Sequence, residues 1–542
     1  MSSSDIDNSI KNIKISNSGA LGNDDEQSEI ANYYAGKTIF ITGASGFIGK
    51  QVLEKLLRSC GGVKAIYVLM RSTKRHTSSE RLQLMLNSKL FHRMTELDGE
   101  LVNKVFVLEG DISKPHLGLR DADIQKIISQ VNVVFHLAAT VSFTEPMRVA
   151  VSLNIVGLRS MLELCKQIQH LQALVHVSTA YANCTRSHIE ETIYPPPVFP
   201  KKILHVAEWM SDDVFQLITP MVLEKHPNTY TFTKSIAETL LIQERGTLPV
   251  AIYRPSIVTA SFQEPFPGWV DNLNGATGVL TAVGSGFLKS VYGIGSLSAD
   301  LVPVDLVANS IIAVGWKLAS QKNPSSEVPV YNFTSGTRKP ITWNEVGIHL
   351  TDIFRRFPMD NPTSIPKAFV TNNRLTHAYF LRIEIFLRLM ALDFIRRLCG
   401  HKPRLLRIHG NVIRLMNVME YFTSNEWTWS TDNVDKLYGS MNRRDRQLFN
   451  FDLRRVHWPT YLESYCIGIR QYTLHQDLKN LPTARKTLKW LLIARRLMLI
   501  TSFLALFRIF VGRFEVISSM WRFFTSFIYG VFNKMPWFIK AR

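Results

Sequence analysis

Residues Lys37-Thr38-Ile39-Phe40-Ile41-Thr42-Gly43-Ala44-Ser45-Gly46-Phe47-Ile48-Gly49 decide the fold of this chain. The apolar run reads as a buried strand, and it passes directly into three glycines spaced Gly-x-x-Gly-x-x-Gly. That spacing permits a tight turn, close backbone approach to a pyrophosphate and close packing of the next helix, whose N-terminus favours negative charge. Ile48, Val52, Leu53, Leu56 and Leu57 then recur at helical spacing. The context is that of a dinucleotide-binding unit, with Thr42, Gly43, Ser45, Gly46, Phe47, Ile48 and Gly49 as candidate cofactor contacts. The plain alternative is a glycine-rich turn that holds nothing.

The next strand, Ala65-Ile66-Tyr67-Val68-Leu69-Met70, ends in Arg71 and Ser72, with Lys74 and Arg75 following. A carboxylate at this point would accept a hydrogen bond from a free ribose 2′-hydroxyl. A cationic, hydroxyl-bearing turn suits a 2′-phosphate instead, so NADPH is expected over NADH; a solvated basic loop is the alternative. Val105-Phe106-Val107-Leu108 reads as a third strand running to Gly110-Asp111-Ile112, and Val133-Val134-Phe135-His136-Leu137-Ala138-Ala139 as a fourth. Asp111, Ile112 and the small Ala138 sit where a cofactor would lie. His136 reads as a packed rather than a catalytic histidine.

A fifth strand, Ala173-Leu174-Val175-His176-Val177-Ser178-Thr179, ends in two hydroxyls at the edge where parallel sheets bind ligands. Thr179 ranks above Ser178 as the group that polarises a carbonyl, but both remain candidates, and a strand-end Ser-Thr is often only a cap. In Tyr230-Thr231-Phe232-Thr233-Lys234 a phenol and an ammonium stand one helical turn apart. That placement would let Lys234 lower the Tyr230 pKa and assist proton transfer to a carbonyl oxygen. The same spacing also arises by chance on solvated helices.

Together, the glycine loop, the Ser178-Thr179 strand end and the Tyr230/Lys234 pair resemble an extended short-chain dehydrogenase/reductase. Asn154, Arg254-Pro255-Ser256 and Val302-Pro303-Val304-Asp305 match further positions of that superfamily. The gap of about fifty residues between Thr179 and Tyr230 carries Glu190-Glu191-Thr192-Ile193-Tyr194-Pro195-Pro196-Pro197. With Pro267-Gly268-Trp269-Val270-Asp271-Asn272 and Trp427-Thr428-Trp429-Ser430-Thr431-Asp432-Asn433, it resembles the fatty acyl-CoA reductases.

The resemblance implies a Rossmann-like doubly wound parallel sheet, a mainly helical C-terminal domain of the male-sterility type and a membrane-associated tail. It implies reduction of a long-chain acyl-CoA to a fatty alcohol by way of an aldehyde, with two NADPH and release of CoA. Tyr230, Lys234, Thr179 and Ser178 would be catalytic. Tyr230, Lys234, Asn154 and Pro255 would join the loop residues around the cofactor, with Asn154 anchoring a water chain. Lys201 and Lys202 are candidates to meet the anionic CoA. The rivals are a membrane-bound sterol or steroid dehydrogenase, a reductase that stops at the aldehyde, and a catalytically dead scaffold.

The 542 residues, 46% of them hydrophobic, suffice for more than one core. The expected divisions are a disordered tail over 1–35, an NADPH-binding reductase domain over 36–350, a helical domain over 351–480 and a basic hydrophobic tail over 484–542. Five scattered cysteines argue against a disulfide framework and against a zinc site. The net charge is +19, and residues 484–542 hold eleven Lys or Arg against the single acid Glu515. Those cations interleave with apolar runs such as Leu497–Phe507, which suits a lipid bilayer and not a nucleic acid. A spanning helix and a hairpin lying in the cytosolic leaflet both fit. The catalytic part is expected to face the cytosol, at the endoplasmic reticulum in preference to the peroxisome, since the chain ends Lys540-Ala541-Arg542 without a peroxisomal address. A homodimer is left open.

Overall fold

The computed structural model describes residues 27–321, 327–513 and 515–533. They form two compact units, each drawn from three stretches of chain. The first comprises Met1–Asn272, Ser296–Trp343 and Tyr421–Gly468, and the second Leu273–Gly295, Asn344–Glu420 and Ile469–Arg542. A division at residue 350 therefore does not follow the compact units, because 273–295 leave the first and 421–468 return to it.

Seven strands build the sheet of the first unit: β1 (Thr38–Thr42), β2 (Ala65–Met70), β3 (Val105–Glu109), β4 (Val133–His136), β5 (Ala173–Val177), β6 (Val250–Pro255) and β7 (Val330–Phe333). Their spatial order is 7-6-5-4-1-2-3, and every pairing is parallel. This is the expected doubly wound sheet, whose order reverses between β1 and β4. The strands β1, β2, β4, β5, β6 and β7 are buried along their length, as a sheet covered on both faces requires. On one face, Phe40, Val134, Leu174 and Ile252 pack with Phe232, Ile236 and Leu240 of helix Thr229–Glu244. Each such side chain contributes roughly 1.5–3 kcal/mol on burial. Helix Phe47–Ser59 packs with helix Val304–Ala319.

Register aligns the carboxyl ends. Thr42 lies opposite His136, His136 opposite His176, Val177 opposite Tyr253, and Phe333 opposite Pro255. The loops leaving β1, β4, β5 and β6 therefore meet at one edge. His136 is packed, with Nδ1 2.8 Å from Thr42 Oγ1 and its ring stacked on His176.

Part of the segment expected to be disordered is an ordered helix. Glu29–Tyr34 form a helix whose N-cap Ser28 accepts from Ala31 N, and Ile30 and Tyr34 are fully buried. A two-turn helix gives too little periodicity to stand out among Ser, Asn and Asp. The disorder expected over residues 1–26, and the reading of the carboxyl terminus at 540–542, lie outside the described residues.

In the second unit, helix Leu481–Arg513 is 33 residues, about 50 Å at 1.5 Å per residue. By length and composition it is apolar enough to cross a bilayer. Leu481, Ala484 and Leu488 are buried, whereas Trp490, Leu497, Met498 and Phe503 are exposed. Helix Glu515–Asn533 touches it through Phe507 and Trp521, whose ring centroids are 5.1 Å apart.

Candidate active site

The glycine loop has the geometry its spacing demands. Gly43 adopts φ +73°, and a Cβ there would lie 2.7 Å from Ala138 N. A Cβ on Gly49 would lie 2.1 Å from the Gly43 carbonyl oxygen, so only glycine lets the helix sit this close to β1. Gly46 caps helix Phe47–Ser59 without a side-chain bond, which leaves the first helical N–H groups available to an anion. The Thr42 hydroxyl accepts from Ala138 N at 3.3 Å and ties β1 to the end of β4. Ser45, Phe47 and Ile48 are partly exposed around this turn, and Phe47 stacks on Trp269 at 5.2 Å. These residues fit a dinucleotide pyrophosphate.

At the end of β2, Arg71 is 66% exposed and lies 3.7 Å from Asp111. The Asp111 carboxylate also accepts from Ser113 N and Oγ, and these bonds with the nearby Arg71 hold its pKa below the usual value despite burial. Ser72 donates to Glu109 and accepts from Ser78 N, so its hydroxyl is engaged within the protein. Ile112 packs against Gly157, where a Cβ would stand 3.0 Å from the Ile112 carbonyl oxygen. Pro255 is buried at the end of β6, opposite Phe333.

Beside this cradle, helix Thr229–Glu244 starts at Asn228, whose side chain accepts from Thr231 N at 2.9 Å. The Thr179 side chain neighbours the Tyr230 phenol and opposes the rise of its pKa, while its hydroxyl accepts from Tyr181 N at 3.3 Å. Ser178 points elsewhere: its hydroxyl donates to Glu238 Oε1 at 2.6 Å. Lys234 Nζ donates to the Val177 carbonyl at 2.8 Å. Asn154, in a π-helical turn, donates to Thr233 Oγ1 at 2.9 Å and accepts from Thr140 N at 3.0 Å. Its amide braces the turn between Tyr230 and Lys234.

The electrostatics correct one expectation. Burial pushes the Tyr230 phenol up to about 12, against a smaller lowering by the Thr179 side chain. Lys234 is not among the influences on the phenol, and its ammonium donates to the Val177 carbonyl. Burial in turn lowers Lys234 to about 8, with Glu238 opposing the shift. Burial, with Lys234 nearby, brings His136 down to about 3 and His176 well below its usual range, so both rings are neutral.

Sequence reasoning missed Glu238. It extends the helical spacing by one more turn, Tyr230, Lys234, Glu238, and forms a fully buried pair with Arg254, Nη2 to Oε2 2.6 Å and Nε to Oε1 2.9 Å. Arg254 also donates to the carbonyls of Glu190 and Thr192, which fixes the inserted loop to β6. An aromatic cluster was missed as well. Phe143 lies 5.6 Å from the Tyr230 ring and stacks on Phe422, which meets Tyr181 and Trp427. The Trp427 and Trp429 indoles donate to the carbonyls of Cys184 and Ala180, so residues 421–429 clamp the loop after Thr179.

Residues 41–311 match an NAD-binding family model described as male sterility protein, and residues 385–476 match a second model of the same description. Over 500 residues the chain is 41% identical to fatty acyl-CoA reductase 1 of Mus musculus, covering 92% of this chain and 97% of the relative. The chain belongs to the fatty acyl-CoA reductases. Fatty acyl-CoA reductase 2 of Homo sapiens is 38% identical over 502 residues, with 93% and 97% covered. Among solved structures, the reductase domain of a nonribosomal peptide synthetase from Mycobacterium tuberculosis superposes with TM-score 0.53 at 18% identity, covering 80% of this chain and 91% of that one. The terminal reductase domain of the myxalamid pathway gives 0.51 at 19%, with 82% and 93% covered. At these identities the two structures speak for the fold alone. The reductase thus combines its family's sequence with a nicotinamide-dinucleotide fold, and the steroid dehydrogenase reading falls away.

Proposed function

We propose that this reductase converts a long-chain fatty acyl-CoA to the fatty alcohol through the aldehyde, using two NADPH and releasing CoA. The observation that carries the reading is the Thr179–Tyr230 pair at the carboxyl edge of the sheet, beside a glycine cradle, in a chain aligned over 97% of a curated fatty acyl-CoA reductase. When bound, the reduced nicotinamide supplies the hydride for each of the two reductions.

In the first reduction, Tyr230 and Thr179 hydrogen-bond the thioester oxygen as it gains charge. No proton need be delivered to that oxygen permanently, since collapse restores a carbonyl and expels CoA as a thiolate. In the second, the aldehyde oxygen becomes an alkoxide, and Tyr230 gives it a proton. A phenol held at about 12 is fully protonated at neutral pH and ready for that step. Lys234 donates to the Val177 carbonyl, and the charge of Glu238 favours its ammonium, whose field supports the negative charge that develops on the substrate oxygen. Glu238 and Arg254 position this group through Ser178 and the helix.

Preference for NADPH is supported by Arg71, which is exposed at the end of β2 where a carboxylate would select the free ribose. Lys201 and Lys202, exposed in the first turn of helix Pro200–Trp209, are suited to the CoA phosphates. Helix Leu481–Arg513 attaches the enzyme to a membrane, with the catalytic unit in the cytosol and the endoplasmic reticulum favoured over the peroxisome. Incubation of the purified protein with acyl-CoAs of several chain lengths and NADPH tests the reading. Failure to release CoA and to oxidise NADPH with all of them would sink it.

A further inference from the structure

Residues 374–398 of the second unit form one continuous helical stretch, interrupted only by a π turn over Tyr379–Glu384. At 1.5 Å per residue its 25 residues run about 37 Å. One side is packed: Leu381, Ile385 and Leu389 are buried. Both acids of the stretch are turned to that side. Glu384 pairs with Lys289 and Arg388 at 2.6 and 2.7 Å. Asp393 is buried and accepts from the N–H groups of Arg404, Leu405 and Leu406, capping the next helix.

The opposite side is apolar and open. Leu375, Tyr379, Ile383, Met390, Phe394 and Leu398 are 83%, 51%, 50%, 47%, 62% and 71% exposed. Soluble surfaces seldom carry a contiguous apolar strip of this extent. Beside the Arg374–Glu420 pair at its start, the charges that share or border it are cations, Arg382 and Arg397 on the stretch and Lys402, Arg404 and Arg407 just beyond, all exposed. An ordered helix with a packed face, an apolar face and a basic rim has the composition of a helix lying in a bilayer interface. Long arginine stems reach from such a depth to phosphate headgroups.

We propose that the stretch 374–398 lies flat in the cytosolic leaflet of an anionic membrane, as a lipid contact of the folded enzyme separate from helix Leu481–Arg513. Its occupant is the lipid surface: the basic rim complements anionic headgroups, and the apolar helix Leu481–Arg513 belongs to the same compact unit. The inference draws on the membrane attachment proposed above for its setting, and the two readings fail separately.

The test uses the full-length chain in phosphatidylcholine–phosphatidylserine vesicles. Cys399 is the exposed cysteine, whereas Cys60, Cys165, Cys184 and Cys466 are buried. In a Cys399→Ser background, Met390→Cys carries an environment-sensitive fluorophore. Lipids brominated near the headgroup end of the acyl chain are expected to cause a large loss of fluorescence, and lipids brominated at the chain middle a smaller one. Adding Leu387→Glu and Phe394→Glu, both at exposed positions, should abolish the quenching with an unchanged melting temperature. Three results would overturn the proposal. One is a water-like emission unaffected by either lipid; another is stronger quenching by the deeper bromines; the third is self-quenching between labels without lipid quenching, which would assign the face to a second copy. Alkaline extraction from the vesicles reads the terminal helix separately. A protein that is extracted yet quenched when bound fails the anchor reading and keeps this one.

Discussion

The Thr179 side chain neighbours the Tyr230 phenol, while Ser178, one residue earlier, gives its hydroxyl to the buried carboxylate of Glu238 at 2.6 Å. Neighbours on an extended strand end point to opposite sides, so Ser178 anchors the helix that carries Tyr230, and the proposed mechanism assigns the reacting oxygen to Thr179. Thr179→Val should lower kcat by about 10²-fold, the usual cost of losing a preorganised donor. Ser178→Ala should leave kcat within a few-fold and lower stability by about 1–3 kcal/mol, the cost of leaving a buried acceptor short of a donor. Steady-state kinetics with thermal melts separates the two, and an equal loss of kcat in both variants would contradict the assignment.

The pH profile should have an alkaline limb set by Lys234. Burial lowers its pKa to about 8, so the ammonium is lost as pH rises through that value and transition-state stabilisation goes with it. The groups that influence Lys234 are Glu238, which favours its charge, and His136 and His176, which are neutral and do not titrate on this limb. Tyr230, at about 12, titrates well above it. Glu238→Gln removes the favourable charge and should move the limb of kcat/KM to lower pH. It also leaves Arg254 buried without its partner, at about 3–5 kcal/mol, so Glu238→Asp serves as the milder comparison. An unmoved limb in both would rule Glu238 out as a positioning group.

The same residue links stability to pH. A lysine with a lowered folded pKa binds fewer protons in the native state than in the unfolded one between about pH 8 and its ordinary value. This site alone should therefore make the protein more stable as pH rises through that window. Lys234→Met should flatten that rise in melts taken across the range.

Arg71→Glu should exchange cofactor preference. Loss of a charge-assisted contact to a 2′-phosphate costs about 1.5–3 kcal/mol, so KM for NADPH should rise by about ten- to a hundredfold while that for NADH falls or holds. Unchanged discrimination would place the 2′-phosphate away from the end of β2.

Gly49→Ala tests the cradle directly. Its Cβ would stand 2.1 Å from the Gly43 carbonyl oxygen, so the helix must shift. A loss of about 1–3 kcal/mol of stability is expected from this overpacking, together with weaker protection of the fold by added NADPH. Protection equal to that of the wild type would show that the dinucleotide does not use this turn.

The sheet was legible because its strands are short apolar runs ended by glycine or by polar residues, and because the Gly43–Gly49 spacing has a steric meaning. Tyr230 and Lys234 were legible through their helical spacing, which, carried one turn further, reaches Glu238. What spacing along the chain does not show is partnership across it. The choice between Ser178 and Thr179 turns on the direction of the strand end. Lys234 was expected to lower the Tyr230 pKa, but its ammonium finds a carbonyl at Val177 instead. Trp427 and Trp429 were noticed as a family signature, yet their indole bonds to Cys184 and Ala180 span about 240 residues and leave no local pattern.

One site is expected to carry an acyl-CoA through two reductions to the alcohol. Counting NADPH oxidised against CoA released, with the product identified, tests it most directly. Two NADPH per CoA and a fatty alcohol are expected, with both signals lost in Tyr230→Phe. One NADPH per CoA with accumulation of aldehyde would contradict it, as would a Tyr230→Phe enzyme of undiminished rate.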